Sequence, residues 1–232
     1  MTVEELIEKS LQELREISCE DKKTISKKQN SKLIFPKYFN NSSIDDNRRI
    51  CEQEARFLFV RQLENSHDEH SFYYSVETPT EYSYIFSKDG ATLDQPKIDT
   101  ERKSGKSGKI DICLFDSELV RTNLLEFKAL NPCPQSYKKD FIKLLYEPKK
   151  EYKGYPNFFI QILKTYASDT ITSLKKKYES AFNIKNNNTD ANNVIVYLCI
   201  IEIPTKYKNI SPIINFNKDD YKSKLDKLII KE

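Results

Sequence analysis

An α/β domain built on a mixed β-sheet is the fold this sequence predicts, and three observations predict it. Amphipathic helical stripes alternate with short apolar runs in the order helix, strands, helix, strand, helix, strand. Two of the runs, 109–115 and 124–129, alternate with period two yet carry charges where a buried strand has apolar residues. The most apolar run, 193–203, has the character of a central strand.

The elements follow in order. Residues 2–17 place Val3, Leu6, Ile7, Leu11, Leu14 and Ile17 at helical spacing. Residues 18–43, rich in Lys, Asn and Ser, read as a linker or arm with one apolar patch, Leu33-Ile34-Phe35. The chain thus divides into an N-terminal helix with its linker (1–43) and a main domain (44–232). A second helix is expected from Asp45 to Glu64, capped by Ser42 or Ser43, with Asp45 and Asp46 at its positive end. Its stripe is Cys51, Ala55, Leu58, Phe59 and Leu63. Strands are expected at 72–76 and 82–86, separated by Thr78-Pro79-Thr80, then a loop from Asp89 to Gly108. Beyond the two charged strands, Ser136 to Glu147 is helical and Pro148 ends it. A strand at 158–163, a helix from an Asp169 cap to Phe182, an Asn-rich loop at 183–192 and a last helix at 219–231 complete the reading.

Composition narrows the function classes. Of 232 residues, 38% are hydrophobic and 31% charged, but 13 Phe and 14 Tyr supply bulk for a core. The net charge of +3 is a weak basic bias. Five scattered Cys without a C-x-x-C pair suggest a reduced, cytoplasmic setting. The N-terminus has no signal-peptide pattern, and no apolar stretch approaches the length of a membrane span. His67 and His70 lie in a polar turn and read as solvated, which disfavours His-dependent hydrolysis. Four Gly form no phosphate-cradling motif, so no nucleotide cofactor is expected.

The charged strands carry the chemistry. Ile110, Ile112 and Leu114 share one face, and Asp111, Cys113 and Phe115 the other. Leu125 and Phe127 point one way, Glu126 and Lys128 the other. If the strands pair, two carboxylates and an ammonium converge, a costly arrangement unless they pair or hold a metal. An ordinary ion pair of Lys128 with Asp111 or Glu126 is the bland alternative, but it leaves one carboxylate over. The preceding helix offers Glu52, inside the apolar stripe, or Glu54, on its margin; Glu52 is the preferred partner for the sheet.

The sequence Gly108-Lys109-Ile110-Asp111, followed after fourteen residues by Glu126-Phe127-Lys128, resembles the PD-(D/E)XK nuclease superfamily. Ile110 stands where that signature loosely keeps a Pro. The resemblance spans about residues 44–203 and implies a restriction-endonuclease-like αβββαβ core, to which the N-terminal helix would be an extension. It implies a Mg²⁺-dependent deoxyribonuclease, with Mn²⁺ as a substitute, hydrolysing DNA phosphodiester bonds to leave a 5′-phosphate, of restriction or defence type. Glu52, Asp111, Glu126 and Lys128 would be catalytic. Asp111, Glu126 and the Phe127 carbonyl would ligate metal. The helix after the third strand, with Lys139 and Lys143 at i, i+4, would contact phosphates, the equal alternative being a solvated Lys-rich face; the Lys-rich loop at 97–109, with Lys106, reads equally as an arm tracking the DNA backbone or as a surface loop. A homodimer is implied for cutting both strands. The rival is a catalytically silent nucleic-acid- or protein-binding module on the same fold; an unrelated α/β enzyme ranks lower.

Overall fold

The structure, a computed structural model, describes residues 1–19, 33, 51–85, 92, 96–147, 155–184, 193–204 and 210–229. It is an α/β fold: a seven-stranded mixed sheet flanked by helices on both faces. The helices are α1 (Val3–Cys19), α2 (Glu52–Asn65), α3 (Pro134–Tyr146), α4 (Ser168–Phe182) and α5 (Tyr221–Lys227). The strands are β1 (Tyr73–Ile85), β2 (Lys97–Asp99), β3 (Lys106–Phe115), β4 (Arg121–Ala129), β5 (Asn157–Leu163), β6 (Val194–Ile200) and β7 (Ile213–Phe216). They lie in the order β2-β1-β3-β4-β5-β6-β7. β4, β5 and β6 run parallel and the other neighbours antiparallel. Crossover helices α3 and α4 supply the parallel connections.

Alternation along the strands feeds two cores. Ile112, Leu114, Leu125, Phe127, Phe158 and Ile160 pack with α1 and α2. Cys113, Leu124, Phe159, Val196 and Leu198 pack with α3, α4 and α5. The stripe of α1 is fully used: Leu6 and Leu14 are inaccessible, so this helix is a layer of the main core. Leu33 packs on the same cluster; Ile34 and Phe35 lie outside the described residues.

Several expectations need correction. The second helix begins at Glu52, because Cys51 is extended (φ −137°) at its N-cap; the proposed caps Ser42 and Ser43 lie outside the described residues. The strands expected on either side of Pro79 are one strand, β1. Pro79 is tolerated because β2 pairs only with residues 83–85, leaving that stretch as a sheet edge that needs no N–H. The chain absorbs the break as a bulge: four steps from Pro79 to Ser83 face two from Lys109 to Ser107. The expected 89–108 loop contains β2 and the start of β3. Ala167, not Asp169, is the N-cap of α4. β6 is an interior strand between β5 and β7, as its apolar run implies. Ile110 joins the α3 side rather than the side of Ile112 and Leu114; opposite this point Glu77 has φ +50°, a left-handed kink in β1.

Among the described residues, no helix is long and apolar enough to cross a membrane. Cys113 and Cys199 are buried thiols outside any disulfide, Cys51 is half-buried and Cys133 exposed. His70 Nε2 lies 2.9 Å from the Leu63 carbonyl and its ring stacks on Phe72, while His67 Nδ1 lies 3.0 Å from the Glu64 carbonyl.

Candidate active site

The site forms where the sheet forks. β3 and β4 pair from Phe115–Arg121 as far as Ile112–Leu125. Beyond that, residues 106–110 of β3 pair only with β1, and residues 126–129 of β4 only with β5. One step past the last pair, Asp111 and Glu126 flank the opening, Asp111 reached by Arg56 of α2 and Glu126 by Lys143 of α3.

A fork leaves backbone groups without a strand partner, and buried backbone groups demand one. Side chains of the candidate site take that place. The Phe127 N–H donates to Asp111 Oδ2 at 2.8 Å, and the Ala129 N–H donates to Glu52 Oε1 at 3.3 Å. On the opposite lip, Lys143 Nζ donates to the Lys109 carbonyl at 2.9 Å. The fork is therefore held open by two carboxylates and an ammonium.

A charge cluster fills it. Lys143 Nζ lies 2.6 Å from Glu126 Oε1 and 2.9 Å from Asp140 Oδ1. Lys128 Nζ lies 2.7 Å from Asp140 Oδ2 and 3.5 Å from Glu52 Oε1. Arg56, from α2, donates to Asp111 Oδ1 at 3.0 Å and also pairs with Glu77, which lies 3.5 Å from Lys109. Five carboxylates thus meet four cations, leaving one negative charge in excess if all are ionised.

Burial makes these charges consequential. Glu126 is 2% exposed, and desolvation, reinforced by Asp140 and Asp111, pushes its carboxyl well above the usual range against the pull of Lys143. Desolvation likewise raises Asp111, although the Phe127 N–H and Arg56 oppose it. Burial pulls both lysines down, but Glu126 and Asp140 at Lys143, and Asp140 first at Lys128, outweigh it and leave both ammoniums held above their ordinary range.

The structure brings Glu52, Asp111, Glu126, Lys128 and Lys143 together. Glu54 is buried elsewhere, accepting the Cys51 thiol. Phe127 contributes its N–H to Asp111 and its ring, edge-on to Phe59, to the α1/α2 core. Lys139 is exposed while Lys143 turns inward, so the i, i+4 pair does not act as one; Asp140, at i, i+3, is the neighbour of Lys143. Lys106 is exposed at the start of β3, paired with Tyr84. Arg56, Glu77 and Asp140 were not anticipated. Asp140 had a signal: it lies among Tyr137, Phe141 and Leu144 on the apolar face of α3, where an acid needs a partner.

Among the described residues, no group of three or more His, Cys, Asp or Glu side chains is arranged to hold a metal ion. Two carboxylates are nevertheless a sufficient donor set for Mg²⁺, which takes one or two of them and completes its shell with water and phosphate. Asp111 and Glu126 would meet that requirement as two carboxylates at the mouth of one fork.

Gly108 tunes the lip. A Cβ there would stand 3.3 Å from Lys143 Cδ and from Thr80 Cγ2. Gly108→Val is expected to push Lys143 off Glu126 and the Lys109 carbonyl. In ¹⁵N-lysine spectra its ammonium signal should shift or vanish, while β1–β3 pairing persists.

No family model, curated protein or solved structure matches this chain.

Proposed function

We propose that the chain is a metal-dependent nuclease that hydrolyses DNA phosphodiester bonds at the β3–β4 fork. The observation that carries the reading is the convergence of Asp111 and Glu126 at the fork, with Lys128 two residues beyond Glu126 and Glu52 beside it. The element order α2, β1, β3, β4, α3, β5, with an antiparallel β1–β3–β4 set and β5 parallel to β4, supports a restriction-endonuclease-like core.

Asp111 and Glu126 would hold Mg²⁺, which supplies a more acidic bound water and neutralises charge on the phosphate. The chain's own groups do the rest. Lys128 and Lys143 place two ammoniums beside Glu126, where the extra negative charge of a pentavalent phosphate develops. Glu52 holds Lys128 from the far side and ties the end of β4 to α2. Arg56 and Lys143 balance the carboxylates before metal enters. A restriction or defence role and a homodimer belong to this proposal by resemblance, and a cytoplasmic location by the scattered cysteines.

Those same ion pairs favour one second reading, a silent binding module in which Arg56 and Lys143 neutralise Asp111 and Glu126 permanently. Titration calorimetry with Mn²⁺ separates the two. The nuclease reading expects binding by wild type that disappears in Asp111→Ala. No binding by a folded wild type, with DNA still bound, would replace it with the module.

A further inference from the structure

Resting on the nuclease reading, we propose that Asp140 is the positioning residue of the site: one carboxylate that pins Lys128 and Lys143 side by side for a phosphodiester. Asp140 belongs to the buried face of α3, flanked by Tyr137 and Phe141. A lone acid there would be costly, so its partners fix its purpose. Its two oxygens divide between two elements: Oδ2 lies 2.7 Å from Lys128 of β4, and Oδ1 lies 2.9 Å from Lys143 of α3. Both lysine side chains are only 14% exposed. Two such ammoniums repel one another, and Glu126 alone contacts only Lys143.

The position of Asp140 matters as much as its charge. It stands behind the lysines on the α3 side, whereas Asp111 and Glu126 stand at the fork itself. Each oxygen of Asp140 is directed at an ammonium, one on β4 and one on α3. Its work is to hold Lys128 in register with Glu126, so that the cation meets the phosphate without searching for it.

The test compares wild type, Asp140→Asn, Lys128→Ala and the double variant. Metal-free ¹⁵N-lysine spectra of wild type should show slowly exchanging ammonium signals for Lys128 and Lys143, both lost or shifted in Asp140→Asn. In Mg²⁺-dependent cleavage, Asp140→Asn should lower kcat by about 100-fold, the scale of a misplaced catalytic group, with KM changed little. Because Asp140 also holds Lys143, the double variant should be slower than Lys128→Ala, but by a smaller factor than Asp140→Asn costs wild type, and Mn²⁺ binding should persist in Asp140→Asn. Loss of Mn²⁺ binding would make Asp140 a ligand and overturn the proposal, as would an unchanged kcat or multiplicative losses. Should Asp140→Asn fail to fold, Asp140→Glu carries the test, with a smaller kcat loss at unchanged KM expected and an unchanged kcat overturning it. Wild type that cuts nothing, yet shows both ammonium signals, would instead sink the nuclease reading and this catalytic role with it.

Discussion

Glu147→Ala is expected to destabilise the fold by about 3 to 5 kcal/mol, the cost of breaking a buried, hydrogen-bonded charge pair. The Glu147 side chain is wholly inaccessible at the C-cap of α3. It accepts the Glu81 N–H at 2.7 Å, the Tyr82 N–H at 3.3 Å, Arg121 at 3.2 Å and the Tyr84 hydroxyl. The two amides belong to the β1 bulge, where the ladder to β3 is interrupted. Thr80 completes the repair, accepting the Gly108 N–H at 2.8 Å and donating to the Tyr82 carbonyl. Removing the carboxylate leaves several donors buried and unpaired, a far larger penalty than the net worth of any one bond. Burial and the Glu147 charge also push the Tyr84 hydroxyl far above its ordinary range, so it stays a donor throughout the working pH range. Glu147→Gln keeps an acceptor oxygen and should lose less. Urea unfolding measures both, with the midpoint moving and the slope unchanged; a loss for Glu147→Ala below about 1 kcal/mol, the worth of a single ordinary hydrogen bond, would contradict this account of the bulge.

Asp111→Asn is expected to lower cleavage on the order of 1000-fold, the upper scale for losing one preorganised charge-stabilising group, while leaving the fold intact. Asp111 does two jobs that this change separates. Its Oδ2 accepts the Phe127 N–H where β3 and β4 part, which the amide oxygen of Asn can still do. Its charge pairs with Arg56 and, in the proposed site, would hold the metal, for which the neutral amide of Asn is a poor substitute. A thermal midpoint that falls sharply, with residual activity tracking the folded fraction, would reduce Asp111 to a structural plug in the fork.

The two charged strands show how far the sequence could be read. Period-two alternation put Asp111 on one face, and Glu126 and Lys128 on one face, without any structure, because side-chain direction in a strand is local. The fork was not legible, since it depends on which neighbours β3 and β4 choose beyond Ile112 and Leu125. Asp140 was hidden in a run of lysines that reads as a solvated face, although helical geometry places it among Tyr137, Phe141 and Leu144. Arg56 and Glu77 come from separate elements and meet only in three dimensions. Pro79 misled the strand reading because edge position, which excuses a proline, is a tertiary fact. β7 is four residues long, too short for its alternation to stand out between Pro212 and Asn217.

The most direct measurement is cleavage of plasmid and linear DNA by wild type with Mg²⁺, Mn²⁺ or EDTA, beside Asp111→Ala and Lys128→Ala. The account predicts metal-dependent cutting that EDTA and both substitutions abolish. Cutting that survives EDTA or both substitutions would contradict it, as would a folded wild type that neither cuts either DNA nor binds Mn²⁺.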